Sequence, residues 1–237
     1  MNKFYFLIRR LLFPTKYSSD AYVRYLRKMG ATVGENTFFF DPFTTKIDIK
    51  RAEHLYIGEK CKITQGVQFL CHDYSWSVLH AAYKEILPMA GKNIEIGDNV
   101  FIGWNTLVLG GVKIGSNVIV GANSVVTHDI CSNSVVAGNP AKVVCSLEEY
   151  YCKRKEQILY EAKREYLFLL SRHKYVLSSD MGWFQVLWLA RTEENAKLLE
   201  KLPFRGDSKT AVLETFLTSE QSFDSYEEFQ NFCEKKG

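Results

Sequence analysis

The stretch FLCHDYSWSVLH, residues 69–80, places a histidine and an aspartate side by side among aromatic residues. An imidazole titrates near neutral pH, so His72 can take a proton from an attacking hydroxyl group. The same histidine can instead cap a turn by hydrogen bonding to the main chain. Asp73 can orient the imidazole ring or bind the substrate, and it is equally suited to an Asx turn. His80 is predicted to be a loop or interface residue. Base chemistry at His72 is a hypothesis that depends on the elements around it.

A six-residue repeat runs on both sides of this stretch. An aliphatic or aromatic residue recurs at every sixth position, glycine often follows it, and the fifth place of each unit is small or β-branched. The recurring positions are Ile57, Ile63, Phe69, Ile96, Ile102, Val108, Ile114, Val120 and Val126. Neither an α-helix nor a simple alternating strand has this period. Hexapeptide repeats are typical of a parallel β-helix with about 18 residues per turn, in which we expect glycine to ease backbone strain near the corners.

The repeat is interrupted after Phe69 by an insertion of 21 residues and resumes at Ile96. A loop of this length is usually functional or disordered, and its aromatic residues argue against disorder. We expect the loop, at about residues 70–95, to project from one corner, to fold against a neighbouring subunit and to form a pocket wall beside His72. Residues 33–58 fit the repeat loosely and are predicted to form an irregular first coil.

The stretch IEIGDNVFIGWNTLVLGGVKIGSNVIVGANSVVTHDI, followed by SVVAGNPAKVV, resembles the hexapeptide-repeat acyltransferases. The closest likeness is to the maltose, galactoside, nodulation-factor and polysaccharide O-acetyltransferases, over about residues 31–147. The resemblance implies a left-handed parallel β-helix and a homotrimer with active sites between subunits. It also implies direct transfer of an acetyl group from acetyl-CoA to a sugar hydroxyl, such as that of a polysaccharide or cell-surface glycan precursor.

The same resemblance assigns roles to individual residues. His72 is the base, the main-chain amide of Trp104 is the oxyanion donor, and the acceptor lies near Asp73, Trp76 and Phe101. Coenzyme A contacts are implied at Gly121, Ala122, Thr127, His128 and Lys142. The family usually has a cation where this chain has His128, so one phosphate contact differs from the family pattern.

Composition excludes several other classes of protein. The chain has 237 residues and a net charge of +3, which does not indicate nucleic-acid binding. Its six cysteines form no CxxC pair, which favours free thiols, a cytoplasmic location and no metal site. The start FYFLIRRLLFP is too short to span a bilayer and makes a poor signal peptide. We expect this segment to pack onto the body of the protein and to make no membrane contact.

Three regions follow from these patterns: an N-terminal helical segment at 1–30, the β-helix at 31–146, and an α-helical C-terminal extension at 147–237. The extension begins with a long amphipathic helix and continues with short helices capped by Thr192 and Ser225. Trp183, Phe184 and Trp188 indicate a small core of its own.

Three other functions remain open. The same scaffold and base would serve an antibiotic or amino-acid acetyltransferase, and a non-catalytic trimeric scaffold would bind no coenzyme A. A zinc hydrase would need two closely spaced histidines on stacked coils and a third from elsewhere. His72 and His80 lie at the loop rather than at coil spacing, which disfavours the zinc enzyme.

Overall fold

The computed structural model describes residues 3–235, with side chains from residue 7 onward. The chain separates into two compact units, Met1–Tyr150 and Tyr151–Gly237. The strands are β1 (Thr32–Val33), β2 (Phe38–Phe39), β3 (Lys46–Ile47), β4 (Leu55–Ile57), β5 (Lys62–Ile63), β6 (Gln68–Leu70), β7 (Ile94–Ile96), β8 (Val100–Ile102), β9 (Leu107–Leu109), β10 (Lys113–Ile114), β11 (Val118–Val120), β12 (Val125–Val126), β13 (Ser134–Ala137) and β14 (Lys142–Ser146). The helices are α1 (Lys3–Leu12), α2 (Ser19–Lys28), α3 (Trp76–Tyr83), α4 (Leu147–Arg172), α5 (Glu193–Leu199), α6 (Lys209–Thr218) and α7 (Tyr226–Glu234).

The strands form three sheets that the chain visits in turn. Their orders are β1-β4-β7-β10, β14-β13-β11-β8-β5-β2 and β12-β9-β6-β3. Every pairing is parallel except the terminal β13–β14 pair, which is antiparallel. Strands of successive turns therefore stack on one another, and the predicted left-handed parallel β-helix is confirmed as the fold of this unit.

The six-residue repeat sets the register of the stack. Ile63 pairs with Ile102, and Ile102 pairs with Val120, one turn further along. All nine of the recurring aliphatic or aromatic positions are buried. The fifth places are buried as well, at Cys61, Val67, Val100, Thr106, Val112, Val118 and Ser124. Each unit thus contributes two inward side chains, and the interior of the coil is filled by stacked rows of them.

The glycines of the repeat have a different role from the predicted one. The residues with left-handed backbone are at the fourth place of the units, where Asn99, Asn105, Asn117 and Asn123 have φ between 53° and 57°. Asparagine tolerates this conformation because its short amide side chain bonds locally. The glycines at the second place allow neighbouring coils to approach: a Cβ on Gly103 would lie 2.5 Å from the amide nitrogen of Ala122. The close contact between coils, rather than corner strain, requires these glycines.

The first coil is more regular than predicted. Its strands β1, β2 and β3 pair in register with β4, β5 and β6, so the coil is complete. Its irregularities are a turn at Asp41–Thr45, where the Thr45 N–H donates to the Asp41 carbonyl at 3.2 Å, and a 3-10 helix at Ile49–His54.

The inserted loop, defined here as residues 72–93, leaves the coil after β6 and returns before β7. Its ends are joined where the Lys92 N–H donates to the Cys71 carbonyl at 2.7 Å. His54 Nδ1 lies 2.8 Å from Asn93 Oδ1 and holds the same end. The loop contains α3, and none of its residues is buried. Backbone bonds fix where the loop starts and ends, while Tyr74 and Tyr83 stay exposed.

Two helices precede the coils. α2 begins where the Ser18 side chain accepts a hydrogen bond from the Ala21 N–H, and it buries Tyr22 and Leu26 against the start of the β-helix. α1 is a second, separate helix, and Leu7, Leu11 and Leu12 on it are 65%, 83% and 63% exposed. The apolar side of α1 does not pack onto the body as the sequence predicts.

The second unit has a core rich in aromatic residues. Trp188 stacks on Phe229 at 4.6 Å, and Tyr166 of α4 meets the same ring edge-on at 5.9 Å. The predicted caps are confirmed: Thr192 accepts from the Asn195 N–H, and Ser225 accepts from the Glu228 N–H. Trp188 is buried, whereas Trp183 is 39% exposed and meets the Phe204 ring edge-on at 5.4 Å.

Candidate active site

His72 lies two residues beyond β6, at the first position of the inserted loop. β3 and β6 are neighbours, with Ile47 paired to Phe69, so the residue after β3 lies beneath the residues after β6. That residue is Asp48. Its Oδ2 atom is 2.5 Å from Nδ1 of His72. A histidine and a carboxylate from two successive coils thus meet at one corner of the β-helix.

The surroundings of Asp48 differ from those of the histidine. The Asp48 side chain is 14% exposed and the His72 ring is 40% exposed. Oδ2 of Asp48 is excluded from solvent and has no other polar partner, and its approach to the ring is not aligned as a hydrogen bond. A buried carboxylate oxygen needs a nearby donor or cation, and the His72 ring is the group that is present. The contact places Nδ1 beside Asp48 and leaves Nε2 as the ring nitrogen that does not face this carboxylate.

A cavity of about 510 Å³ opens beside the ring. Its wall combines the end of β6, the first and last residues of the loop, and the end of β9. The lining residues are Leu70, Cys71, His72, Asp73, Met89, Ala90, Gly91, Lys92, Leu109 and Gly110. A concave, largely apolar surface with a few convergent polar groups is typical of small-molecule sites, which span about 300–1,000 Å³.

Asp73 lines this cavity but does not orient the imidazole. Its Oδ1 accepts hydrogen bonds from the N–H of Ser75 at 2.9 Å and from the Ser75 hydroxyl at 2.6 Å, an Asx turn that starts the loop. The Ser75 hydroxyl and amide lower the pKa of Asp73 from its ordinary value. Asp73 is therefore a charged wall residue, and its contact with an acceptor stays a prediction.

Cys71, next to the histidine, is poorly suited to be a nucleophile. Burial, with the charges of Asp48 and Glu53 as smaller causes, raises the pKa of Cys71 to about 11. The thiolate is the reactive form of cysteine, and it is scarcely populated near neutral pH when the pKa is this high. The site favours a base at His72 over covalent chemistry at the neighbouring sulfur.

Trp104 lies at a different corner, just after β8. Its carbonyl accepts a hydrogen bond from the Asn123 N–H at 2.6 Å. The neighbouring amides of Gly103 and Asn105 donate to Val120 and Gln65, but among the described residues none accepts from the Trp104 N–H. The Trp104 side chain is 55% exposed. An amide without an acceptor at an open corner can stabilise a negative oxygen.

One chain does not bring Trp104 and His72 together. β8 belongs to the six-stranded sheet, and β6 belongs to the sheet β12-β9-β6-β3, so the two residues follow different faces of the coil. Trp104 is not among the residues that line the His72 cavity. Within one chain, the two groups therefore lie at separate corners of the β-helix.

The predicted coenzyme A residues divide between the same two corners. Gly121 and Ala122 follow β11 and stack on the Trp104 corner. Thr127 and His128 follow β12, which belongs to the same sheet as β6, the strand before His72. Thr127 Oγ1 is 2.7 Å from His128 Nδ1. Lys142 begins β14 at the end of the coil with an exposed side chain. Their roles stay predictions.

Trp76 and Phe101, the other predicted acceptor contacts, lie outside the cavity wall. Trp76 begins α3 and meets Tyr74 edge-on at 5.1 Å and His80 at 6.3 Å. Phe101 is 40% exposed on the outer side of β8. Within the part of the chain that the structure describes, no group of three His, Cys, Asp or Glu side chains is placed to hold a metal ion.

Sequence reasoning missed Asp48, Met89 and Lys92. Met89 and Lys92 lie at the far end of the insertion, and they join the cavity because the loop closes on Cys71. The sequence did contain a signal for Asp48, because this residue follows Ile47, which pairs with Phe69 in the next coil. The prediction that residues 33–58 form an irregular coil concealed that pairing.

Comparison with known proteins supports one family. The family model described as bacterial transferase hexapeptide (six repeats) matches residues 93–128. Protein CapG of Staphylococcus aureus is 40% identical over 153 residues, which cover 63% of this chain and 87% of that protein. A 2,3,4,5-tetrahydropyridine-2,6-dicarboxylate N-acetyltransferase of Halalkalibacterium halodurans is 47% identical over 94 residues, 40% of this chain and only 38% of that relative.

A solved hexapeptide-repeat-containing acetyltransferase from Vibrio cholerae, in complex with acetyl coenzyme A, is also similar. It is 28% identical with a TM-score of 0.39, and the match covers 58% of this chain and 84% of that one.

Proposed function

The chain belongs to the hexapeptide-repeat family of acyltransferases, and on that premise we propose that it transfers an acetyl group from acetyl-CoA to a sugar hydroxyl. The observation that carries the proposal is His72, half-exposed in a cavity of about 510 Å³ and backed by Asp48. A sugar of a polysaccharide or cell-surface glycan precursor is the acceptor class that the sequence resemblance favours.

His72 acts as the general base. Because Nδ1 faces Asp48, Nε2 is the atom that receives the proton of the acceptor hydroxyl as its oxygen attacks the acyl carbon. Asp48 holds the ring and stabilises the imidazolium that forms. When the carbon–sulfur bond breaks, the same nitrogen returns the proton to the departing sulfur. Transfer is direct, since the neighbouring Cys71 is held as a neutral thiol.

The main-chain amide of Trp104 supplies electrostatic stabilisation of the negative charge that develops during the reaction. Acetyl-CoA brings the acetyl group as a thioester, whose oxygen gains negative charge during attack. The Trp104 N–H has no acceptor within the described residues and is free to donate to that oxygen. Lys142, exposed at the end of the coil, is suited to a phosphate of the donor. The residues present therefore fit the donor, with the thioester at the Trp104 corner.

A complete site requires two chains. His72 and Trp104 follow strands of successive coils and lie at different corners of the β-helix, so the proposed site combines His72 of one protomer with Trp104 of the next. The exposed aromatic residues of the inserted loop support the same arrangement, since Tyr74 and Tyr83 are 68% and 75% exposed. We propose a homotrimer with three such sites.

A second acceptor class is favoured by one residue of the cavity. Lys92 lies on the wall beside His72, and a lysine there can bind a carboxylate. An amine-bearing carboxylic acid is thus the alternative acceptor, and the name of the Halalkalibacterium relative is that of an N-acetyltransferase for a dicarboxylate.

The decisive experiment measures thiol release from acetyl-CoA with two acceptor panels: sugars with nucleotide-sugars, and amino acids with amino dicarboxylates. Release that depends on a sugar supports the leading proposal, and release that depends only on the amino acids replaces it. His72→Ala should lower turnover about 10²- to 10⁴-fold, the usual effect of a general base. His80→Ala is the matched control and should retain activity. Full activity of His72→Ala would eliminate His72 as the base.

Mixing two inactive variants tests the shared site. His72→Ala and Trp104→Pro each remove one half of the site, and hybrid trimers formed by random mixing restore both halves at about one quarter of the interfaces. Recovery of about that fraction of wild-type turnover is expected after the mixture is refolded together. No recovery, with hybrid trimers shown by mass spectrometry, would place both groups in one chain and contradict the proposal.

A further inference from the structure

Among the described residues, the helix α1 carries a row of exposed aliphatic side chains. Leu7, Leu11 and Leu12 are 65%, 83% and 63% exposed, and Ile8 is 39% exposed. At 3.6 residues per turn these four positions share one side of the helix, within about 140° of arc. A contiguous row of aliphatic side chains in water is unusual for a single soluble domain and marks a contact surface.

The opposite side of α1 is fixed to the β-helix unit. The Arg9 guanidinium lies over the Phe43 ring at 4.5 Å, and Phe13 meets the same ring edge-on at 5.0 Å. The Phe13 N–H donates to the Arg9 carbonyl at 2.8 Å and continues the last turn of the helix. Because the Arg9 side faces the protein, the leucine side is directed away from it.

The charge of this segment indicates what the leucines contact. The first 19 residues contain Lys3, Arg9, Arg10 and Lys16 and no acidic residue, the first being Asp20. Arg10 is exposed on α1. A helix with aliphatic residues on one side and arginines on the other matches the pattern of helices that lie in an anionic membrane interface. Guanidinium groups pair readily with lipid phosphates.

We propose that α1 docks this enzyme onto the surface of an anionic phospholipid bilayer. The helix has 10 residues, about 15 Å in length, and the hydrocarbon core is about 30 Å thick, so α1 lies in the interface and does not cross it. Among the helices in the described residues, none is both long and apolar enough to span a membrane. A two-fold contact between two copies of α1 is the less favourable arrangement, because it would bring basic segments together without an acidic partner.

Vesicle co-sedimentation of the full chain tests the docking. The wild-type protein should bind vesicles of phosphatidylcholine mixed with phosphatidylglycerol, should bind phosphatidylcholine alone weakly, and should be released by high salt. Leu7→Gln with Leu11→Gln removes two aliphatic contacts while keeping a good helix former, and should weaken binding about tenfold or more. Arg10→Gln should weaken it about fivefold, as expected for one surface cation.

The matched control is Leu177→Gln, which changes a leucine that is 52% exposed in the second unit. It should bind vesicles as the wild-type does. Sedimentation velocity without lipid completes the test: the Leu7→Gln, Leu11→Gln variant should keep the wild-type oligomeric state and thiol-release activity. Loss of oligomers in that variant, or equal binding of wild-type and variant to anionic vesicles, would overturn membrane docking.

Discussion

The stacked coils and the inserted loop differ in how their apolar side chains are covered. In the coils, the recurring residues and the fifth places are buried within the chain itself, and backbone bonds between successive turns fix their positions. In the loop, residues 72–93, no side chain is buried, although Tyr74, Val78, Tyr83 and Ile86 are large and apolar. The coils therefore bury their apolar side chains within one chain, whereas the loop leaves these large apolar side chains exposed.

This difference explains how the site is divided. The coil supplies rigid groups: the Trp104 amide at a corner, and Asp48 beneath the loop. The loop supplies the cavity wall, and only its two ends are tied to the coil. A base at the junction gains a fixed position from the coil and a shaped pocket from the loop. In the proposed homotrimer, a second copy of the chain would cover the loop, and assembly would thereby be linked to activity.

Among the variants that compare the coils with the loop, the largest loss of turnover is expected at Trp104, in the coils. Trp104→Pro deletes the amide proton and should lower turnover about 10²- to 10³-fold, the usual effect of removing one oxyanion donor. Trp104→Ala keeps the amide and should cost far less. Thiol-release rates for the two variants, with circular dichroism to verify folding, separate main-chain from side-chain effects. Equal losses in both variants would assign the role to the indole.

Substitutions in the core of the coil are expected to lower the free energy of unfolding more than substitutions in the loop. Ile102 is fully buried between Ile63 and Val120, so Ile102→Ala should lower the free energy of unfolding by about 2–5 kcal/mol. Tyr83→Ala, in the loop, should cost less and should act on assembly. Denaturant unfolding at two protein concentrations distinguishes an effect on the fold of one chain from an effect on assembly. A large effect of Tyr83→Ala that is independent of concentration would show that the loop packs within its own chain.

Asp48→Asn should have an intermediate effect. It removes the charge that holds the His72 ring while keeping the size of the side chain, and partners that orient a histidine are typically worth about 10- to 100-fold in activity. The expected loss is in turnover, with little change in the Michaelis constant of either substrate. Asp73→Asn is the control for the loss of a carboxylate near the same ring. A larger effect of Asp73→Asn would assign the orienting role to the loop.

The smallest effect is expected at Cys71. Its pKa, raised by burial to about 11, keeps the thiol neutral at pH 8, so alkylation at that pH should reach the exposed Cys131 and Cys152 first. Cys71→Ala should retain turnover within a few-fold. Mass spectrometry of labelled peptides and the thiol-release assay test both statements. An acetylated Cys71 trapped during turnover would indicate a covalent route.

Most of the β-helix was predictable because each hexapeptide repeats the same local requirement. The buried positions, the interruption after Phe69 and the caps at Thr192 and Ser225 follow from residue types and spacing alone. The function of the repeat glycines was not predictable in the same way. Their spacing is visible, but the 2.5 Å approach that a Cβ on Gly103 would make to Ala122 exists only between stacked coils.

The sequence by itself determined the coil and the position of His72 at the start of the loop, because a sixfold period fixes which residues point inward. Only the tertiary structure decided that Asp48 contacts the His72 ring, that the Trp104 amide has no acceptor among the described residues, and that the leucines of α1 are exposed. These features depend on contacts between residues distant in sequence. Such contacts are set by the stacking of whole coils and not by any local pattern.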